Sequence, residues 1–401
     1  MDKTSRVLVT DAQSRIGLAI IRSLGRKGVK VTAADSHIIS KGFFSRYCSR
    51  RLLYPDPSSH PEAYLDVIIR ELERGSYDVV IPVDDYSLAP LSKNKEEVEK
   101  HARFPFLDYD KLKGGRDKAL TIIQAKKCGI KVPETIIIKG EDDIERIQEQ
   151  LCFPVILRPR VSRGSRGLFK IKDSRELILT YRGALPKYGP MIVQEYIPWG
   201  GMNYDVSMIM NKRSEPRAIF VDRAIRIYYG FIGPQVLGEG VEYPELKDLA
   251  IRLLQALNWY GPAQIEFRID PRDQKPTLME VNSRFWGSLH LGIVSGIDFP
   301  YLLYQMAMNG DISPVLDYRK GIKARWLLPG DIMHLIYNPE RKRVLISWIK
   351  DLFNINIRLY IPARDDPLPV FGALLEILEM LISPNNIKKI AQLLWTRRRN
   401  W

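Results

Sequence analysis

The sequence predicts three regions: an α/β N-terminal domain, an α+β middle region and a C-terminal helical extension. The first residues alternate strand, helix and strand, the middle is dominated by short strands of alternating polarity, and the last fifth shows apolar residues at helical spacing. A chain of 401 residues corresponds to about two to three domains. A sizeable core is therefore available.

The composition is that of an ordinary soluble globular protein, with 45% hydrophobic and 27% charged residues. It excludes collagen-like, disordered and disulfide-scaffold classes. The most apolar stretch, 370–382, contains Glu376 and Glu379, so no membrane-spanning segment is expected. The first residues show no export signal, and three widely spaced cysteines suit a reducing compartment. We therefore expect a cytoplasmic protein.

The N-terminal region begins with a βαβ pattern: a strand over 6–10, a helix over 16–24 and a second strand ending at Asp35. A dinucleotide fold requires three glycines after the first strand, and residues 11–17 contain only Gly17. The sequence therefore disfavours an NAD site. A further strand over 77–83 ends in Asp84 and Asp85, at the sheet edge where α/β proteins bind ligands. These two carboxylates are either substrate contacts or a solvated acid pair.

The middle region is predicted to be built on antiparallel strands. A helix begins at Ala119 and ends before Gly129, and an amphipathic helix begins at Pro244. The strands are predicted over residues 154–158, 191–195, 204–210, 217–221, 263–269 and 277–282.

The last two of these strands should form a hairpin around the turn at 270–273. A symmetric hairpin pairs Ile265 with Val281 and Phe267 with Met279, and it places Glu266 opposite Glu280. Two facing carboxylates repel one another unless a cation lies between them, and Mg²⁺ is bound by such oxygen ligands. The pattern therefore indicates a magnesium site, with a solvated face paired to nearby arginines as the alternative.

A loop over 161–167, rich in glycine, serine and arginine, follows the strand that carries Arg158. Its backbone N–H groups can close over a polyphosphate. The loop lacks the Walker Lys-Ser/Thr ending, which excludes a P-loop. Arg158 and Lys118, at the start of a helix, are candidate phosphate ligands, although either alone is more often a surface charge.

Five motifs in this order resemble the ATP-grasp superfamily. They are residues 117–118 with 129–135, residues 153–159, the loop 161–167, residues 194–197, and Glu266 with 279–288. The similarity spans about 110–310, and the region before it is similar to the domain that usually precedes an ATP-grasp fold. The best match is to single-unit carboxylate–amine ligases, similar to carbamoyl-phosphate synthase and D-amino-acid ligase-like ATP-grasp proteins.

The resemblance implies a pre-ATP-grasp, Rossmann-like α/β domain over 1–112, an ATP-grasp domain over 113–315 and a basic C-terminal extension over 316–401. The ATP-grasp domain would include a small lid subdomain at about 130–195.

The resemblance also implies a role for each candidate site residue. Lys118, Arg158 and Arg284 would be catalytic, with Lys118 and Arg158 on the ATP phosphates and Arg284 stabilising the acyl-phosphate and its adduct. The remaining nucleotide contacts would come from Ser162, Arg163, Gly164, Ser165, Gly167, Glu195, Tyr196, Ile197, Asn203 and Asp205. The metal ligands would be Glu266, Glu280 and Asn282. The substrate contacts would be Asp84, Asp85, Arg223, Arg226 and Ser288, with the two arginines suited to an acidic substrate.

The implied function is an ATP- and Mg²⁺-dependent ligase that activates a carboxylate as an acyl-phosphate, joins it to an amine, and releases ADP and phosphate. Two metal ions are expected, with Mn²⁺ as an alternative to Mg²⁺. The partners would be small carboxylates and amines, and a homodimer is an open alternative. A non-catalytic ATP sensor is the alternative function, although a sensor has little need of a complete metal and oxyanion set.

The net charge is +14, and residues 320–401 carry 14 basic against 7 acidic residues. Half of the excess thus lies in the last fifth of the chain. The final residues 395–401 combine tryptophan with three arginines, a composition that suits an interfacial membrane anchor or a solvated basic end. Peripheral contact with the inner membrane surface is therefore an alternative, and no nucleic-acid partner is expected.

Overall fold

The structure is a computed structural model, and it describes residues 5–140, 143–144, 147, 150–162, 164, 166–228, 233–338 and 340–382. The chain begins with a parallel four-stranded sheet in the order β3-β2-β1-β4, with fully buried residues on its central strand. The strands are β1 (Arg6–Val9), β2 (Lys30–Asp35), β3 (Cys48–Leu53) and β4 (Val79–Ile81). The accompanying helices are α1 (Arg15–Arg26), α2 (Pro61–Gly75), α3 (Asp85–Lys93), α4 (Lys95–Glu99) and α5 (Tyr109–Arg116).

A seven-stranded sheet forms the centre of the molecule, in the order β13-β12-β9-β10-β11-β14-β15. Its strands are β9 (Asn203–Met210), β10 (Pro216–Ile227), β11 (Gln235–Gly240), β12 (Gly261–Ile269), β13 (Pro276–Asn282), β14 (Lys323–Arg325) and β15 (Ile357–Leu359). All neighbours are antiparallel except β14 and β15. The helices around it are α6 (Lys118–Lys127), α8 (Pro244–Ala256), α9 (Leu289–Ser295), α10 (Phe299–Asn309), α11 (Ile332–Tyr337), α12 (Arg341–Leu352) and α13 (Pro369–Ile382).

A second antiparallel sheet has the order β5-β8-β6-β7. It consists of β5 (Thr135–Ile137), β6 (Val155–Pro159), β7 (Phe169–Ile171) and β8 (Met191–Glu195), with helix α7 (Ser174–Tyr188) against it. Most of its apolar residues form a core of their own, from Ile138 to Val193, while Ile192 is buried in the large core. The large core joins the N-terminal sheet to the central sheet and extends to Ala373. The small core lies within the lid region predicted over 130–195.

The hairpin prediction is confirmed at the site and wrong beyond it. Ile265 pairs with Val281 and Glu266 with Glu280, but Phe267 pairs with Leu278 because the register shifts between Glu266 and Phe267. The bulge lets both Phe267 and Leu278 enter the core, where each is buried. Met279, the predicted partner, is the extra residue.

The C-terminal region is more closely integrated than an extension. Its strands β14 and β15 complete the central sheet, and Asp366 is buried against Arg22 of helix α1. The described residues end in helix α13, and the basic end at 395–401 lies outside them. No helix among the described residues is long and apolar enough to cross a membrane. The architecture confirms the predicted fold class of an α/β domain, an ATP-grasp fold and C-terminal helices.

Candidate active site

Four acidic residues lie in register across four neighbouring strands of the central sheet. Glu280 on β13 pairs with Glu266 on β12, Glu266 pairs with Asp205 on β9, and Asp205 pairs with Asp222 on β10. Directly opposed residues in a sheet point to the same face. The four side chains therefore form one acidic row across that face.

Two basic side chains lie beside Glu280, at one end of this row. The Nη2 of Arg158, on lid strand β6, donates to Glu280 Oε2 at 2.6 Å, and Lys118 Nζ lies 3.8 Å from the same oxygen. Burial opposes ionisation of Glu280, but these two charges hold the pKa of its carboxyl below the ordinary value. Burial also lowers the pKa of Lys118. At this end of the row, Arg158 and Lys118 thus offset the negative charge of Glu280.

Glu266 has a different environment. Asn282 Nδ2 donates to its Oε1 at 2.6 Å. Burial, and then the charges of Glu280 and Asp205, raise the pKa of Glu266 well above its ordinary value. The site thus has excess negative charge and carries carboxylate and amide oxygens. A hard divalent cation would neutralise this charge and bind these oxygens.

Among the described residues, no three acidic, histidine or cysteine side chains converge as a metal site by themselves. Mg²⁺ commonly takes one or two carboxylates and completes its shell with substrate phosphates and water. Glu266, Glu280 and Asn282 therefore fit Mg²⁺ that is bound together with a nucleotide.

The predicted phosphate-binding loop lies over Lys118. Lys118 Nζ donates to the backbone oxygen of Ser162 at 3.1 Å. Gly164 and Gly167 have φ of 56° and 73°, in the left-handed region that favours glycine. Lys118, Ser162 and Glu280 line one cavity of about 80 Å³ together with Asp85. Arg163 and Ser165, also predicted here, lie outside the described residues.

The predicted adenine and ribose contacts lie where the lid sheet meets the central sheet. Glu195 ends β8 and pairs with Arg272, while Ile197 is buried. Lys170 Nζ lies 4.2 Å from the ring centre of Tyr196, and Asn203 Oδ1 accepts from Arg268 Nε at 2.9 Å. Asp205 belongs to the acidic row, where its Oδ2 accepts from Gln264.

Three of the predicted substrate residues lie beside the site or support it. Asp85 Oδ2 accepts from Arg284 Nε at 2.8 Å and lines the cavity. Asp84 is the N-cap of α3, accepting from the backbone of Tyr86. Ser288 Oγ donates to Asp222 Oδ1 at 3.3 Å.

The other two predicted substrate residues, Arg223 and Arg226, are not brought to the site. Arg223 follows Asp222 on β10 and so points to the opposite face, where it bonds Glu239 at 2.6 Å. Arg226 is buried against Asp331 and Asp351 of the C-terminal region. The structure therefore does not place these two arginines beside the acidic row, where the prediction of contacts to an acidic substrate required them.

Asp222 was not predicted, although it completes the acidic row. It is fully buried, and it accepts from Gln235 Nε2 at 2.9 Å. Burial raises its pKa to about 7, although the bonds from Gln235 and Ser288 lower it. The available signal was an acid directly after the apolar run 218–221, but only the register with β9 places it beside Asp205.

Comparisons with known proteins agree with this fold. Residues 188–328 match the family described as "ATP-grasp in the biosynthetic pathway with Ter operon". The chain is 25% identical over 211 residues to the carbamoyl phosphate synthase large chain of Pyrococcus furiosus, covering 49% of this chain and 19% of that protein. It is also 25% identical over 200 residues to the D-alanine–D-alanine ligase of Dechloromonas aromatica, covering 47% and 65%. The chain thus spans less than two thirds of either relative.

Solved structures give the same fold. The N5-carboxyaminoimidazole synthetase of Staphylococcus aureus has a TM-score of 0.66 at 16% identity, and 92% of each chain is covered. The biotin carboxylase domain of the 2-oxoglutarate carboxylase of Hydrogenobacter thermophilus, solved with MgADP and bicarbonate, has a TM-score of 0.65 at 16% identity, covering 80% of this chain and 73% of that one.

The fold and these matches define the class: the chain is a member of the ATP-grasp superfamily. It is related to carbamoyl phosphate synthase large chains and D-alanine–D-alanine ligases.

Proposed function

We propose that this protein is an ADP-forming ligase that uses ATP and Mg²⁺ to join a carboxylate to an amine through an acyl-phosphate. The observation that carries the proposal is the facing pair Glu266 and Glu280, with Asn282 on one side and Arg158 and Lys118 on the other. Such a set can hold both a divalent cation and the phosphates of a nucleotide.

The residues of the site divide between nucleotide and metal. Arg158, Lys118 and the loop over 162–167 would hold the phosphates, while Glu195, Tyr196, Ile197 and Asn203 would contact the nucleoside. Glu266, Glu280 and Asn282 would hold Mg²⁺ or Mn²⁺, with two ions proposed. When bound, the metal neutralises phosphate charge in the transition state.

Arg158 and Lys118 need a change of partner for this role, because both now face Glu280. A nucleotide phosphate offers them a second anion, while a cation at Glu280 replaces the charge that they supply. When both changes of partner occur together, Arg158, Lys118 and Glu280 each keep an opposite charge beside them. Without nucleotide, Glu280 thus holds Arg158 and Lys118 at the position where they would bind phosphate.

The chemical steps would take place between Glu280 and Arg284. A carboxylate oxygen of the substrate attacks the γ-phosphorus and ADP leaves; the amine nitrogen then attacks the acyl carbon and phosphate leaves. Asp85 fixes the Arg284 guanidinium at 2.8 Å, so this cation can stabilise the oxyanion of the tetrahedral adduct. The likeness to D-alanine–D-alanine ligase supports the carboxylate–amine class.

The test is ADP release with Mg²⁺ against a panel of carboxylates and amines, for the wild type and Glu280→Gln. We expect one pair of substrates to stimulate ADP release, and Glu280→Gln to reduce kcat by roughly 100-fold or more. Glu239→Gln is the matched control, because Glu239 lies on the same sheet and pairs with Arg223 on the opposite face. The Glu239→Gln enzyme should keep the wild-type kcat.

Two outcomes would contradict the proposal. A Glu280→Gln enzyme as active as the wild type removes the metal assignment. Nucleotide binding without stimulation by any pair across a broad panel favours the ATP sensor instead.

A further inference from the structure

Helix α12 lies at the surface: none of its 12 residues is fully buried, and only Val344, Trp348 and Asp351 are half-buried. The other apolar residues of this helix and of the turn after it face the outside: Ile346 is 65% exposed, Phe353 80% and Ile355 88%. A helix normally covers its apolar side chains against a core. These side chains have no such cover among the described residues.

The helix is nevertheless attached to the fold along one face, through Trp348 and through Asp351, which pairs with Arg226 at 2.8 Å. Trp348 Nε1 donates to the backbone oxygen of Asp331 at 3.1 Å, and the Arg325 guanidinium lies 4.7 Å from the Trp348 ring centre. Strand β15 follows at Ile357 and returns the chain to the central sheet. The apolar side chains are thus presented from a fixed position.

Basic residues accompany the apolar ones. Arg341, Lys342 and Arg343 begin the helix and Lys350 is near its end, and all four are exposed. Cations at a helix N-terminus are disfavoured by the helix dipole. Glu340 lies 3.4 Å from Arg343 and offsets one of the three charges. The other two favour an external anion as the compensating charge.

Helix α13 adds a second exposed apolar surface. Phe371 is 59% and Leu378 51% exposed. The helix contacts segment 327–331, whose Asp331 also holds Trp348. The two apolar surfaces therefore flank the same part of the C-terminal region.

We propose that α12 and the following residues 353–355 bind the surface of an anionic lipid bilayer. Exposed apolar side chains beside lysine and arginine are the composition that inserts at the headgroup level. A second copy of this surface would bring like charges together. Residues 383–401 carry five basic and no acidic residues, so their charge favours the same anionic surface.

The experiment is flotation of the full-length protein with vesicles of phosphatidylglycerol and phosphatidylcholine in equal amounts, or of phosphatidylcholine alone. We expect binding to the anionic vesicles. The variant Arg341→Ser/Lys342→Ser/Arg343→Ser should lose affinity about 100-fold, at about fivefold per basic residue. Phe353→Ser/Ile355→Ser should lose at least about 10-fold.

The matched control removes the same charge from exposed residues of the N-terminal domain, as Arg70→Ser/Arg74→Ser/Lys100→Ser, and should bind as the wild type does. Thermal stabilisation by MgATP should be equal in all variants, which shows that they are folded. No binding by the wild type, or equal losses in the control, overturns the proposal. The proposal is also overturned if both α12 variants bind the anionic vesicles as the wild type does and only Arg397→Ser/Arg398→Ser/Arg399→Ser loses binding. A dimer in solution that Phe353→Ser/Ile355→Ser dissociates would instead make this surface an interface between copies.

Discussion

Burial has the largest influence on the charge of three acids in the active-site row. It raises the pKa of Glu266, Asp205 and Asp222, whereas Lys118 and Arg158 lower the pKa of Glu280. The row therefore changes along its length, from a carboxyl whose pKa is lowered at the phosphate end to carboxyls whose pKa is raised. A protein that must take up a cation gains from this arrangement, because the carboxylates are already assembled before the cation arrives.

The pKa of Asp222 leads to a prediction about stability and pH. Its pKa is about 7 in the folded protein against an ordinary value of 3.8, so between these values the folded state binds more protons than the unfolded state. Stability contributed by this group must then fall as pH rises from about 4 to about 7, and remain low above it. Asp222→Asn removes the titration, and should raise Tm by roughly 3–5 °C at pH 8 and much less at pH 4.

Thermal unfolding of both proteins across this pH range measures the effect. Asp248→Asn, an exposed aspartate of helix α8, is the control and should follow the wild type at every pH. A Tm difference that is the same at pH 4 and pH 8 would show that Asp222 is ionised throughout.

The same residues show what the sequence can predict about the site. Glu266 and Glu280 were predictable because they lie in one hairpin, where a local turn fixes the register. Asp222 was not, because its position depends on the pairing of β10 with β9 and of β9 with β12. Arg223 was predicted as a substrate contact from the resemblance, and only the pairing of β10 with β9 shows that its side chain lies on the face opposite Asp222.

At the scale of elements, the C-terminal region is held to the N-terminal domain by a buried carboxylate. Asp366 accepts from Arg22 Nε at 2.8 Å, from Ser45 Oγ at 2.7 Å and from the backbone of Arg46. Arg22 and Asp366 are 3% and 0% exposed. The neighbouring pair of Arg26 with Asp365 is 36% and 43% exposed.

These adjacent pairs make a matched comparison. Asp366→Ala leaves the Arg22 guanidinium buried without its charge partner, and should reduce the free energy of unfolding by about 3–5 kcal/mol. Asp365→Ala removes an exposed pair and should cost about 1 kcal/mol or less. Urea unfolding of the two variants measures the difference. Equal losses would contradict the role of Asp366 as the buried attachment.

The sequence predicted the long strands of the middle region and its helices α6 and α8, because alternation and helical spacing repeat over several residues. It did not predict helix α7. It did not predict that the C-terminal region completes the central sheet. Strands β14 and β15 have three residues each, which is too short for alternation to be recognised. Their partners lie far away in sequence, so only the folded chain reveals them.

At the scale of the whole molecule, the lid and the remainder have separate apolar cores. The lid has its own core from Ile138 to Val193, and only Ile192 of its strand β8 is buried in the large core of the remainder. Between them lie ion pairs, including Arg158 with Glu280 and Glu195 with Arg272. An interface made mainly of ion pairs holds domains together more weakly than a continuous core does.

The lid should therefore unfold separately when no nucleotide is bound. Scanning calorimetry of the free protein should show a small transition for the lid below a larger one for the remainder, because cooperative unfolding follows a shared core. MgADP would bind Arg158 on the lid and Glu280 on the central sheet together, and so should raise the lid transition toward the main one. At 100 times Kd the stabilisation is about 2.7 kcal/mol.

Arg158→Ala should remove most of this shift, since it deletes the lid's contribution to the phosphates. Arg175→Ala, an exposed arginine on helix α7 of the lid, should preserve it. A single transition in the free protein would mean that the ion pairs and the buried Ile192 are enough to couple the two cores. A full MgADP shift in Arg158→Ala would place the nucleotide away from the lid strand, because a ligand can stabilise only the parts of the molecule that it contacts or that fold together with them.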